Sequence, residues 1–218
     1  MTVGILLDLD GTLLDTLEDL TDAVNYALGQ FGLPGRTVSE VRDRVGNGAL
    51  RLMALALPED TASPSPEELL SVFKPYYDAH CRLKTHPYDG IPEALAALKG
   101  KYPIAVVSNK PDSAVKSLCA DFFPGIYALG EAPDCPRKPA ADMVQKAMAA
   151  IGADRCIYVG DSEVDVLTAK NAGVPCVSVL WGFRDRDVLE VCGATHFCQT
   201  PAELLQTIET ILGELYGK

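Results

Sequence analysis

The chain has 218 residues, 48% apolar and 22% charged, the composition of an ordinary globular protein with enough length for a large core. Thirty acidic side chains against 19 Lys and Arg give a net charge of −11, which argues against nucleic acid and anionic membrane surfaces as partners. An anionic substrate remains open, because a metal and a few local cations invert the field inside a cleft.

Seven cysteines, at 81, 119, 135, 156, 176, 192 and 198, are scattered without any Cys-x-x-Cys pair, so neither a zinc site nor a redox motif is suggested. Buried free thiols fit a reducing compartment. With no basic leader and no apolar run of membrane length, a cytoplasmic protein is expected.

The apolar run Val3–Leu7 predicts a buried parallel strand, since neither face alternates with polar residues. It ends in Asp8 and Asp10, which two-residue spacing puts on one face. Gly11 lets the backbone turn and approach a ligand. Two anions at a strand's carboxyl end repel unless a cation or a shared proton relieves them.

Helical spacing follows at once. Leu17, Leu20, Val24, Ala27 and Leu28 predict a helix stopped by Gly32 and Pro34. Thr37-Val-Ser-Glu40 reads as a capping box, and Gly46-Asn47-Gly48 breaks the short second helix ahead of an apolar segment, Ala49 to Leu57. Residues 58–66 read as a loop, and Ser65-Pro66-Glu67-Glu68 opens a further helix. From 15 to 84 no convincing strand is predicted.

From residue 90 strands and helices alternate. A helix over 92–99 precedes the strand Ile104–Val107, which ends in Ser108-Asn109-Lys110, with Pro111 opening the next helix. A short strand over 126–129 is followed by Lys138-Pro139 and a helix closed at Gly152. The strand Cys156–Val159 runs into Gly160-Asp161-Ser162 and a helix closed at Gly173, and 177–180 is the last clear central strand. Thr200 caps a terminal helix with a stripe of Leu204, Leu205, Ile208, Ile211, Leu212 and Leu215.

This alternation predicts an α/β fold: a Rossmann-like, three-layer, parallel-sheet core over 1–14 and 85–218, with an all-helical cap over 15–84. Ligands bind beyond the carboxyl ends of such strands, where the polar clusters at 8–12, 108–110 and 160–165 fall. A block inserted after the first strand belongs over that edge, as a lid.

Asp8-Leu-Asp10-Gly-Thr12, Ser108, Lys138 and Gly160-Asp161-Ser162-Glu-Val-Asp165, in this order, resemble the four motifs of the haloacid dehalogenase superfamily, in its phosphatase branch with a helical cap. The resemblance covers essentially the whole chain, and departs at Ala141, where the family often carries a proline. It implies that Asp8 attacks phosphorus and forms an aspartyl phosphate, while Asp10 protonates the leaving oxygen and then activates water. It implies Mg²⁺ held by Asp8, Asp161 and the Asp10 backbone carbonyl, with Asp165 a direct or supporting contact. Gly11, Thr12, Ser108, Asn109 and Lys138 are the expected phosphate-binding residues.

The chemistry agrees. A carboxylate is a usable nucleophile toward phosphorus, and its approach to a phosphate dianion is mostly a problem of positioning and charge neutralisation. Mg²⁺ is suited to carboxylate and phosphate oxygens, and a lysine balances phosphate charge. Ser108 also reads as a helix cap and Lys138 as a solvated loop cation. His80, His86 and His196 have no partner spacing.

Trp181-Gly-Phe-Arg184 and Gly46-Asn47-Gly48 resemble segments of phosphoglycolate phosphatase-like members. The expected partner is therefore a small phosphate ester, 2-phosphoglycolate first, with Gly46, Asn47 and Gly48 reading its carboxylate. The alternatives are a hexose phosphomutase, a pyrophosphatase or a non-hydrolytic phospho-accepting signalling domain. Haloacid dehalogenation is disfavoured because it does not use Asp10. Oligomeric state is not legible.

Overall fold

Val3–Leu7 forms β1, and Ile5, Leu6 and Leu7 are fully buried, so both faces of the strand are covered. Two two-residue strands follow, β2 (Leu14–Asp15) and β3 (His86–Pro87), which pair with each other. Both are too short to leave a periodic signal, and neither is predicted by the sequence. The computed structural model describes residues 1–59 and 62–216, in two compact units: 1–14 with 87–218, and 15–86. The predicted loop over 58–66 includes residues 60 and 61, which lie outside the described residues.

Unit 15–86 contains α1 (Leu17–Gln30), α2 (Val38–Arg42), α3 (Ala49–Ala56) and α4 (Pro66–His80). Leu20, Val24, Ala27 and Leu28 of α1 are buried, as are Leu69, Phe73 and Tyr77 of α4, and these two helices pack together. The predicted capping boxes form at Thr37, with Glu40, and at Ser65, with Glu68. Arg36 and Arg44 donate to the Ala56 and Leu55 carbonyls at the end of α3, where a helix has no backbone donors left. The buried Asp19 accepts the Lys84 and Thr85 amides at 2.8–3.1 Å, which ties the end of the unit to α1.

The α/β unit adds α5 (Ile91–Lys99), β4 (Ile104–Pro111), α6 (Asp112–Phe122), β5 (Tyr127–Glu131), α7 (Asp142–Ala150), β6 (Arg155–Gly160) and α8 (Glu163–Ala172). It closes with β7 (Cys176–Val179), α9 (Arg186–Val191), β8 (His196–Cys198) and α10 (Leu204–Tyr216). The sheet is parallel, in the order β5-β4-β1-β6-β7-β8. Leu6, Val107 and Tyr158 pack against Met143, Val144 and Ala147 of α7 and Ala169 of α8. Neighbouring positions, including Val106, Ile157 and Val159, are equally buried. The expected α/β architecture is therefore present.

Details differ. The edge strand β8 was not predicted, because three residues carry little alternation. A 3-10 turn, Pro201–Glu203, precedes α10, and Leu215 is exposed rather than part of the buried stripe. β4 continues through Ser108 to Pro111, so Ser108 lies within a strand and caps no helix. The strand order reverses about β1, with β4 and β5 on one side and β6, β7 and β8 on the other. Such a switch point opens a crevice at the strands' carboxyl ends.

Candidate active site

At the end of β1, Asp8 is 7% exposed, and its Oδ1 accepts the Leu9 amide at 2.7 Å and faces Lys138 Nζ at 2.9 Å. Two donors on one oxygen fix the plane of this carboxylate. Lys138 lies between β5 and α7, and the Asn109 side chain clasps its backbone. Asn109 Nδ2 donates to the Lys138 carbonyl at 3.0 Å and Oδ1 accepts the Lys138 amide at 2.8 Å.

Asp165, in the first turn of α8, holds the other side of Lys138 at 2.7 Å. Its Oδ1 also accepts the Tyr158 hydroxyl at 3.2 Å, and its Oδ2 accepts the Ser162 amide and hydroxyl at 3.1 and 2.6 Å. Four donors use the lone-pair sites that a carboxylate offers.

Asp161, at the end of β6, takes a different set. Its Oδ1 accepts the Thr12 hydroxyl at 3.1 Å and its Oδ2 the Phe183 amide at 2.7 Å. The segment after β7 packs closely enough here to require glycine: a Cβ on Gly182 would stand 2.3 Å from Asp161 Cβ and 2.4 Å from the Gly11 carbonyl. Gly11 itself has φ +83° and is tight for the same reason, with its virtual Cβ 2.3 Å from Asp161 Oδ2. Trp181 Nε1 donates to the Thr12 carbonyl at 3.0 Å.

Three clustered carboxylates thus share one site with Lys138, two of them in contact with it, and the balance of charge decides who yields. Burial pushes Asp8 well above the usual carboxylate range, Asp165 and Asp161 add to this, and Lys138 draws it back. Burial and then Asp165 push Asp161 up to about 7, against the Phe183 amide and Thr12 hydroxyl. Burial opposes the charge on Lys138, yet Asp165, Asp8 and Tyr158 together hold its pKa well above the lysine value. Lys138 is therefore a permanent cation.

A second pair stands beside this network. Lys110 Nζ lies 2.7 Å from Asp10 Oδ1, with the side chains 5% and 15% exposed. Ser108 is buried and its Oγ accepts the Lys110 amide at 3.2 Å, which leaves the hydroxyl proton to donate.

A family model described as haloacid dehalogenase-like hydrolase matches residues 3–173. The chain belongs to the haloacid dehalogenase-like hydrolases. Within them it is phosphoglycolate phosphatase-like, hence a phosphoric monoester hydrolase. It is 34% identical over 192 residues to phosphoglycolate phosphatase 1 of Pseudomonas aeruginosa, covering 83% of this chain and 70% of that protein. It is also 31% identical to the N-acetylmuramic acid 6-phosphate phosphatase of the same organism, covering 96% of each. A crystal structure from Lactobacillus delbrueckii subsp. bulgaricus, provisionally described as a phosphoglycolate phosphatase, matches with a TM-score of 0.89 and 38% identity, over 95% of this chain and 99% of that one.

In this hydrolase the four motif segments meet at the ends of β1, β4 and β6. Asp8, Asp161 and Asp165 present carboxylate oxygens within 4.8 Å of one another. A hard, oxygen-seeking divalent cation fits that donor set, and buried carboxyls pushed toward neutrality are relieved by one. Asp165 is already saturated, so Asp8 and Asp161 are the two carboxylates that suit Mg²⁺. The amides of Gly11 and Thr12 are spent within the turn, on the Leu14 and Leu9 carbonyls, and the Asn109 side chain is spent on Lys138. Gly46, Asn47 and Gly48 lie in the helical unit, half-buried, just ahead of α3. The histidines take local partners: Tyr76 for His80, Lys84 for His86 and Glu214 for His196.

Three groups escaped the sequence reading. Lys110 was legible only as part of a polar strand end, Tyr158 only as an apolar strand residue, and the Phe183 amide only through the Trp-Gly-Phe-Arg resemblance. No helix among the described residues is long and apolar enough to cross a membrane.

Proposed function

We propose that this hydrolase is a Mg²⁺-dependent cytoplasmic phosphatase that cleaves a small phosphate ester through an aspartyl phosphate, with 2-phosphoglycolate as the substrate. The observation that carries the reading is Asp8, buried with Lys138 at 2.9 Å and with Asp161 among the oxygens clustered within 4.8 Å. A carboxylate held beside a permanent cation is poised to attack a phosphate dianion.

Asp8 forms the new bond to phosphorus as the ester P–O bond breaks, and Asp10 gives its proton to the departing oxygen. Water then attacks phosphorus, Asp10 takes the proton from that water, and the Asp8–phosphorus bond breaks to release phosphate. Ser108 donates to a phosphoryl oxygen, and Lys138 neutralises charge at Asp8 and at the transferred group. Asp165, Tyr158 and Asn109 hold Lys138 in place. Asp8, Asp161 and the Asp10 carbonyl would hold Mg²⁺, which supplies charge neutralisation at the phosphoryl oxygens. Residues 15–86 act as the cap, and the Gly46-Asn47-Gly48 turn offers the N–H donors of a helix start to the substrate carboxylate.

Phosphate release from a panel of esters tests this. 2-Phosphoglycolate outperforms ethyl phosphate, which lacks the carboxylate, by at least roughly tenfold in kcat/KM, the worth of one charge-assisted hydrogen bond. Activity is lost in EDTA. Equal rates on the two esters, or a preference for hexose phosphates such as the muramic acid 6-phosphate relative suggests, overturn the substrate.

A further inference from the structure

We infer that Lys110 reads an anionic group on the leaving-group side of the substrate, a carboxylate attached to the carbon that bears the ester oxygen, and so makes the α/β unit itself selective for phosphorylated hydroxy acids. This rests on the reading of Asp10 as the group that protonates the leaving oxygen.

The two buried lysines of the site divide it. Lys138 serves the phosphoryl end, 2.9 Å from Asp8 and 2.7 Å from Asp165. Lys110 serves the other acid, 2.7 Å from Asp10 and 100 residues away in sequence. Its placement is built by the sheet. The β4–β5 ladder shifts register between Val107 and Pro111, the kind of irregularity that re-aims a side chain, and Lys110 emerges almost fully enclosed.

A proton donor works within hydrogen-bond reach of the atom it protonates, about 2.6–3.2 Å. The leaving oxygen therefore departs beside Asp10, and the Lys110 ammonium stands one hydrogen bond beyond it. In 2-phosphoglycolate the carboxyl carbon is two bonds from that oxygen, so the carboxylate falls within reach of Lys110 without any contribution from the helical unit. In ethyl phosphate the same place holds a methyl group. A compact, enclosed cation separates these two esters strongly, because the carboxylate adds an ionic partner beside Asp10 that a methyl group cannot supply.

The competing role is that Lys110 merely braces Asp10 or adds charge at the phosphate. Either role affects both esters alike, so the test is a ratio. In Lys110→Met and Lys110→Gln both esters should slow, because Asp10 loses its partner. The 2-phosphoglycolate to ethyl phosphate ratio of kcat/KM should fall by at least about tenfold as well, the worth of one charge-assisted hydrogen bond. Lys110→Arg should retain part of the ratio. An unchanged ratio in the neutral variants overturns the inference while leaving the substrate reading intact; a wild-type enzyme without a preference overturns both.

If the neutral variants do not fold, Lys110→Arg is compared with wild type by inhibition of ethyl phosphate hydrolysis. The glycolate inhibition constant should move severalfold while that of inorganic phosphate stays within about twofold. Parallel movement of the two constants overturns the inference.

Discussion

The network at the strand ends and the Gly46-Asn47-Gly48 turn of the helical unit treat their polar groups in opposite ways. In the α/β unit, Asp8, Asp161, Asp165 and Lys138 are each held by named partners and lie nearly out of water. In the helical unit, the Gly46-Asn47-Gly48 turn is half-buried, and its position ahead of α3 is its main qualification. A network whose donors and acceptors are matched is preorganised, and it suits a transition state whose charge never varies. A turn of small residues at a helix start is easily changed, and it suits the part of the substrate that does vary. The contrast fits the proposed division, with reaction chemistry in the first unit and substrate choice in the second, Lys110 being the proposed exception.

Four experiments put that contrast at risk. The largest effect belongs to Asp8→Asn, which should lower turnover at least about a thousandfold through loss of the nucleophile. Its thermal midpoint should hold or rise, because one of three crowded buried carboxylates becomes neutral; substantial residual turnover sinks the covalent mechanism. Asp165→Asn comes next. An amide has one acceptor oxygen for four donors, so Lys138 loses its anchor. Stability should fall by about 3–5 kcal/mol, as for a broken buried ion pair, and kcat by about a hundredfold through misplacement. Denaturant titration and steady-state kinetics read the two effects, and a silent variant means the network is not what holds Lys138.

The third experiment is a pH series on protein freed of metal. Asp161 is raised to about 7 from an unfolded carboxylate value near 3.9. Between those values the unfolded chain binds fewer protons than the folded one, so this group's contribution to stability falls as pH rises through about 7. The thermal midpoint should drop over that window. Asp161→Asn should flatten that drop, and Mg²⁺ should reverse it in the wild type only. A midpoint insensitive to Mg²⁺ at pH 8 argues against Asp161 as a ligand. The smallest effect is expected in the helical unit. Asn47→Ala should narrow the 2-phosphoglycolate to ethyl phosphate gap a few-fold and leave ethyl phosphate hydrolysis nearly unchanged. An equal loss on both esters removes the turn from substrate choice.

Much of the candidate site was legible because strand ends announce themselves. Val3–Leu7, Ile104–Val107 and Cys156–Val159 are apolar runs that stop abruptly at Asp8, Ser108 and Asp161, and a parallel sheet must gather such ends on one edge. The partners were less legible. Asp165 reads from sequence as a direct or supporting metal contact one turn after Asp161, and its oxygens face Lys138, Tyr158 and Ser162. Thr12 reads as a phosphate contact, whereas its hydroxyl supports Asp161. Short hydrogen-bonded strands such as β2, β3 and β8 were missed because two or three residues carry no period.

Local patterns in the chain are enough to specify the alternation of buried strands and helices, the helical block over 15–84, the capping boxes at Thr37 and Ser65, and the set of strand ends that carry chemistry. Each depends on neighbours within a few residues, through periodicity, caps and turn-forming glycines, and so is written locally. Which groups face each other is settled by the assembled fold: Lys110 with Asp10, Lys138 between Asp8 and Asp165, and the Phe183 amide on Asp161. Those pairings join segments far apart in the chain. They are fixed by sheet order, ladder register and close approach at Gly11 and Gly182, quantities that arise only when distant strands are laid side by side.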